Sequence, residues 1–415
     1  MPARKRAMLI ASPYPSSARH TAMSRIASVR AAWLQTPVPP ERRHISDFGL
    51  MDTFNSALIT VETDDGLTGF GEAKVHVGSA GNYAAVCAVV EHELAPLLRG
   101  EDARNITGLW QKMYNGSRAH HARSHGRSFP VLGRRGITVS ALSGVDVALW
   151  DLLGKGMSAP VYQLLGGRCR DRILAYASGG WAGVGAIAAE GRRYVELGYR
   201  AIKIRAGLND ASIDVSAERV RELRTAVGPE VKIMIDGHGT LSIPEAKRLC
   251  RKLEPYDVAW FEEPTAVDHP DAMRQVREST DIPIAAGESE QTRYPFRDLL
   301  QAGAVDILQP DLSICGGISE ARHIASLASA YQTQLAPHVF GGGVIFAAGL
   351  HFAAATPGVF ILEHCHGHNP LLHDLVAEEF PLVDGHFEFS DRPGLGVTPD
   401  LAFASEFTRD WRREL

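Results

Sequence analysis

The chain has 415 residues, 45% hydrophobic and 22% charged, with a formal net charge of −5. This is the composition of a globular protein long enough for two domains, and its mild acidity gives no general attraction to nucleic acid or a membrane surface. The longest apolar run, residues 341–357, is too short to span a bilayer, and five scattered cysteines (Cys87, Cys169, Cys250, Cys315, Cys365) in no metal-ligand spacing point to reduced thiols and a cytoplasmic location.

Residues 1–23 are rich in Arg, Lys, Ser and Pro, and the first acid of the chain is Glu41. Their apolar stretch, AMLIA, is too short for a secretory signal, so the segment reads as a disordered tail or as sequence upstream of a start at Met23. Strand patterning begins at Ser24. NSALITVETDDGLTGFGEA alternates around an Asp65-Gly66 turn, the pattern of a hairpin. ERRHISDFGLM before it and KVHVGSAGN after it read as loops placed to cover a site. Helical periodicity follows over 82–98, 103–114 and 137–155. Residues 117–136 hold five Arg, three His and no acid. With only Phe129 to stack on a base, they read as a solvated or subunit-facing loop rather than a nucleic-acid surface. Strands and helices segregated in this way describe an α+β domain over 24–167.

From Arg172 strand and helix signals alternate. RILAYAS, YRAIKIR, VKIMID, VAWFEE, IPIAAGE, VDILQPD, TQLAPH and VFILEH read as eight strands with mostly helical connectors, which predicts a parallel barrel over 168–366. The remainder, 367–415, is mixed extended and turn sequence that folds back on the first domain. The fold class is therefore α/β: a modified TIM barrel, (β/α)7β, with an N-terminal α+β capping domain completed by the C-terminal tail.

Barrels of this kind carry their chemistry at the C-terminal strand ends. Here those ends bear Lys203 and Arg205, Asp236 and His238, Glu262, Glu288, Asp311, His338 and Glu363. Asp236, Glu262 and Glu288 recur at intervals of 26 residues, one strand–helix period each, so they arrive side by side. Three hard oxygen ligands favour Mg²⁺ or Mn²⁺ over zinc. In FEEP, Glu262 and Glu263 point to opposite faces, and Glu262 keeps the interval.

KIR, MID, FEEP, GES, QPD, PH and LEH, in this order, together with the DDGLTGFGEA hairpin and the SGVDVALWDLLGK helix, make the chain resemble the enolase superfamily and, within it, the mandelate racemase group. The resemblance covers roughly residues 24–410. It implies one Mg²⁺ per subunit on Asp236, Glu262 and Glu288, and abstraction of the proton α to a carboxylate by a Lys or His base. Lys203 would be the base on one face, and His338, oriented by Asp311, the base on the other. Glu363 would hydrogen-bond the enolate in its protonated form. Arg205 cannot be a base and would hold substrate; many relatives have a second lysine there, so the KxR form is a departure. His238, two residues past Asp236, matches a histidine that in some sugar-acid dehydratases protonates the leaving hydroxyl. The resemblance therefore points to a dehydratase of an aldonate or aldarate: Lys203 or His338 takes the C2 proton, and the C3 hydroxyl leaves with acid help from His338 or His238. A racemase or epimerase, and a non-catalytic sugar-acid-binding protein, are the alternatives. The partner is a small-molecule sugar acid, and group members are often dimers or octamers, which implies a homo-oligomer.

Two further motifs stand apart. His364, Cys365, His366 and His368 fit no standard zinc spacing. Gly341 to Gly343 lacks the Lys-Ser/Thr of a phosphate loop; its backbone N–H groups suit an anion, and close packing or loop flexibility is an equal reading.

Overall fold

The computed structural model describes residues 24–75, 83–127, 133–207 and 209–413. The segment 1–23, the end of the loop after the hairpin and the middle of the basic stretch lie outside the described residues.

The chain opens with β1 (Ile26–Pro37), a small hairpin of β2 (His44–Ser46) and β3 (Gly49–Met51), and then β4 (Thr53–Thr63) and β5 (Thr68–Ala73). β1, β4 and β5 form an antiparallel sheet with the alternating burial that the sequence pattern predicts. Helix Ile137–Gly156 lies across β4 and β5. It is long and apolar enough to cross a membrane, but most of it is buried inside the protein. Contact is close because both sides are small: a Cβ on Gly71 would collide with the Gly144 carbonyl oxygen.

The second layer is a barrel of β6 (Arg172–Ser178), β7 (Ala201–Arg205), β8 (Lys232–Asp236), β9 (Val258–Glu262), β10 (Ile284–Ala286), β11 (Ile307–Leu308), β12 (Gln334–Leu335) and β13 (Ile361–Cys365). Successive strands pair in parallel, β13 pairs with β6, and a Leu335–Val359 bridge brings the last two strands together. Period-two alternation fills the interior in layers. Tyr176, Ala201, Met234, Trp260 and Ile361 belong to an apolar floor. Two residues further along the same strands come Ser178, Lys203, Asp236, Glu262 and Glu363, all buried. The floor excludes water from below, so every charge above it must find its partner within the site.

Three strands stop earlier than the sequence pattern predicts. β10 to β12 have only two or three residues each, and Glu288, Asp311 and His338 sit in the loops beyond them. Pro310 and Pro337 cannot donate to a ladder, and Gly287 adopts φ +132°. The loops then turn these side chains over the barrel mouth.

The tail divides between the two layers. β14 (Leu382–Val383) and β15 (His386–Glu388) form a hairpin whose second strand pairs antiparallel with the start of β6. The rest reaches the cap: β16 (Thr408–Arg409) pairs with β1 at Trp33 and Leu34, Leu395 N–H donates to Asp151, and Arg412 pairs with Glu91.

Candidate active site

The strand ends bring the nine residues singled out in the sequence to one mouth of the barrel, but they are not equivalent there. Lys203 is 1% exposed. Its Nζ lies 2.6 Å from Glu262 Oε1, 3.3 Å from Glu363 Oε1 and 3.6 Å from Asp236 Oδ2. Burial alone would lower its pKa, but the Glu262 and Glu363 carboxylates outweigh burial and hold it above the ordinary lysine value. The expected base on this face is thus a locked ammonium. Arg205, one strand step nearer the mouth, pairs with Asp236 and reaches His238 Nε2 at 3.2 Å.

The opposite side carries a dyad. His338 Nδ1 lies 2.7 Å from Asp311 Oδ2, and Asp311 is itself fixed by the Ser313 N–H at 2.7 Å and hydroxyl at 2.5 Å. His338 Nε2 faces Glu288 at 3.2 Å and Glu363 at 3.5 Å. Burial pulls the imidazole pKa down, but Glu288, Glu363 and Asp311 raise it more. Opposite influences meet at Glu363. Burial favours the acid, yet Lys203 and His338 hold it well below the carboxylate range, and Val339 N–H donates to it at 2.8 Å.

Glu262 also departs from the simple picture of three converging ligands. Its Oε1 faces Lys203, and its Oε2 accepts from Gln309 Nε2 at 2.6 Å and Trp260 Nε1 at 3.1 Å. Among the described residues, ligand atoms of Asp236, His238 and Glu288 lie within 4.8 Å of one another. The donor set still suits a divalent cation. Six buried carboxylates (Asp236, Glu262, Glu263, Glu288, Asp311, Glu363) share the mouth with two permanent cations, Lys203 and Arg205. Oε1 of Glu263 and Oε2 of Glu288 accept no hydrogen bond. Burial, with the charges of Glu288 and Glu262, drives the Glu263 carboxyl pKa well up. A buried surplus of hard oxygen charge is what Mg²⁺ or Mn²⁺ relieves.

The cap closes the mouth. His44, Ser46, Phe48, Met51 and Lys74 from the cap meet Trp181, Arg205, His238, Glu288, His338 and Phe340 around a cavity of about 60 Å³. His44 packs on Trp181 with centroids 4.0 Å apart, and Lys74 Nζ lies 5.1 Å over the Phe340 ring. The sequence assigned this role to the loop near Ile45 but did not single out Asp47, which pairs with His238. The available signal was one acid, in SDFG, between two short strand patterns. Gln309 stood in the QPD motif and went unused.

The other motifs resolve as structure. Gly342 N–H donates to Glu72 Oε1 at 2.7 Å and Ile345 N–H to its Oε2 at 3.1 Å, so the anion on the glycine run is the cap's own carboxylate. His364 bonds the Tyr199 hydroxyl, and His366 packs edge-on to Tyr199. Burial pushes His364 down to about 3 and His366 down to about 4, so both are neutral. In the basic stretch, Arg134 pairs with Glu93 and Arg135 donates to Tyr114, away from the cavity.

Residues 31–166 match the mandelate racemase / muconate lactonizing enzyme N-terminal domain, and residues 186–403 match the enolase C-terminal domain-like family. The chain is 36% identical over 342 residues to an arabinonate dehydratase of Saccharolobus solfataricus, covering 81% of this chain and 86% of that protein. It superposes on a racemase from Streptomyces coelicolor with bound magnesium at TM-score 0.80 and 31% identity, covering 92% and 100% of the two chains. It also superposes on the 3,6-anhydro-D-galactonate cycloisomerase of Zobellia galactanivorans at TM-score 0.80 and 30% identity, covering 93% and 100%.

Proposed function

The chain belongs to the mandelate racemase group of the enolase superfamily, and from that premise we propose that it is a hydro-lyase that dehydrates a sugar acid, with His338 as the base. The observation that carries this reading is the inequality of the two faces. Inverting a centre needs a proton acceptor on each side of it. Here one side offers His338 on Asp311, while the other offers a guanidinium, His238, and an ammonium already bound by carboxylates. Guanidinium does not lose its proton in proteins. Dehydration needs one base and one acid, and this set supplies both.

Asp236, Glu262 and Glu288 would hold a divalent cation, with Mg²⁺ the first choice. When bound, it supplies fixed positive charge for the substrate carboxylate as negative charge develops there. His338 Nε2 takes the C2 proton, and Asp311 holds the resulting imidazolium. The C3–O bond then breaks, and the oxygen leaves as water after taking a proton from His238. The enol left behind tautomerises to a 2-keto-3-deoxy acid. Arg205, on the cavity wall, holds substrate oxygens. The arabinonate dehydratase relative supports an aldonate as the first substrate class to try.

The test is proton NMR of purified protein with Mg²⁺ and a panel of aldonates and aldarates in D₂O. Loss of the C2 proton together with a 2-keto-3-deoxy product supports dehydration. Exchange or epimerisation without that product moves the assignment to a racemase. Affinity without exchange moves it to a binding protein.

A further inference from the structure

The hairpin of β2 and β3 has three residues per strand, too few to stand alone in water. It turns Ile45, Phe48 and Leu50 to solvent, at 65%, 53% and 58% exposure. Its acid does the reverse: the Asp47 side chain is only 3% exposed. A carboxylate at the tip of an exposed loop is buried only where partners hold it.

Both partners are on the barrel. Asp47 Oδ2 bonds His238 Nδ1, and Asp47 Oδ1 accepts from Asn209 Nδ2 at 2.8 Å. The Phe48 ring packs 5.0 Å from the His238 ring. His238 is held at φ +41°, a conformation that costs energy in a non-glycine residue. With Nδ1 committed to Asp47, Nε2 is the nitrogen turned into the cavity, 3.2 Å from Arg205 and 3.2 Å from Asp236. A cap carboxylate thus decides which way a barrel histidine faces. The cavity beneath, about 60 Å³, is far below the ~300 Å³ and more of small-molecule sites. Substrate entry therefore requires the hairpin to lift, and lifting it withdraws Asp47 from His238.

We propose that Asp47 is a positioning residue that latches this hairpin shut and, in the shut state alone, holds the His238 ring with Nε2 turned into the cavity. The latch stands on geometry; the aiming rests on the dehydratase reading above.

The test uses the full chain with Mg²⁺ and the variants Asp47→Ala, Asp47→Asn, His238→Gln and Asp47→Ala/His238→Gln, each checked by thermal melting. Asp47→Asn keeps the side-chain shape should the alanine variant fold poorly. Hydrogen exchange followed by mass spectrometry reads the latch: Asp47→Ala is expected to speed exchange of the amides over 44–51 on the order of tenfold, with the barrel amides unchanged. NMR in D₂O reads the aiming. Dehydration is expected to fall by about 10- to 100-fold more than C2 proton exchange, and Asp47→Ala to add nothing in the His238→Gln background. Unchanged exchange over 44–51 in both Asp47 variants overturns the latch. Equal loss of both reactions, or effects that add to His238→Gln, overturns the aiming. A wild-type protein that dehydrates no acid overturns the dehydratase reading, while the amide-exchange arm still judges the latch.

Discussion

Replacing Lys203 with methionine separates a locked ammonium from a working base. The substitution keeps length and apolar bulk on β7 and removes the charge. In the structure that charge serves three carboxylates, Glu262 at 2.6 Å, Glu363 at 3.3 Å and Asp236 at 3.6 Å, all fully buried. Removing one partner of a buried ion pair costs about 3–5 kcal/mol, because the remaining charge is left without compensation. Three acids share the loss here, and each can answer by taking a proton, so the lower end of the range is the conservative figure. With unfolding entropy of about 2.1 cal/mol/K per residue, a 415-residue chain has a transition entropy near ~0.9 kcal/mol/K, and about 3–5 kcal/mol lowers Tm by about 3–6 °C. The assay is thermal melting in EDTA at neutral pH, repeated with excess Mg²⁺. A divalent cation held by Asp236, Glu262 and Glu288 would bind the folded state and supply the missing charge, so the deficit is expected to shrink when it is added. A neutral Lys203, ready to accept a proton, would be replaced by methionine at almost no cost. A Tm in EDTA within about 1 °C of wild type would therefore refute the ammonium argument and return Lys203 to the list of bases.

Three further outcomes follow from the same contacts. His338→Asn is expected to slow exchange of the substrate C2 proton by about 10²–10⁴-fold without changing the fold, measured by NMR in D₂O. Burial pushes Asp146 up to about 7, against an ordinary 3.8. Between those values the folded state keeps a proton that the unfolded state has lost, so stability falls as pH rises through the window and levels off above it. Asp146→Asn is expected to flatten that slope, bringing the urea midpoints at about pH 5 and about pH 8 together. Glu72→Ala strips the Ser56 hydroxyl and the Gly342 and Ile345 N–H groups of their acceptor, and is expected to destabilise by about 2–5 kcal/mol in denaturant titrations.

The barrel was legible in the sequence because its signal is periodic. The 26-residue recurrence of Asp236, Glu262 and Glu288 is a repeat length, and repeat lengths survive any misplacement of strand ends. The ends were less legible: β10 to β12 stop before Glu288, Asp311 and His338, yet the side chains still reach the mouth. What the sequence did not contain is depth. Lys203 and Arg205 share a face by the rule of two, but about 7 Å of strand rise separates them along the barrel axis. That rise places Lys203 among carboxylates and Arg205 on the cavity wall. Partners far apart in sequence were equally silent. Nothing in SDFG names His238, 191 residues away, and nothing in GEA names the glycine run that Glu72 holds.

These distant pairs also fix what can move. Glu72, Asp146 and Gln291 join the cap to the barrel through buried bonds to Gly342 and Ile345, to Ser319, and to Gly136 and Ser140. Asp151 adds bonds to Phe70 within the cap and to Leu395 of the tail. Each would leave desolvated groups unpaired if the cap lifted as a body, so body-wise opening is costly at several points together. Among the described residues the β2–β3 hairpin shows no such set: Ile45, Phe48 and Leu50 are exposed, and its grip is Asp47 on His238 and Asn209, the packing of His44 on Trp181 and Phe48 on His238, and Met51 against the core. On this argument, opening would concentrate in the hairpin. The same argument explains why the acid of the reaction would be tied to the cap while the base, His338 on Asp311, is built wholly from the barrel. On the proposed reading, proton abstraction would rely on rigid elements, and loss of the hydroxyl would wait for the part that closes.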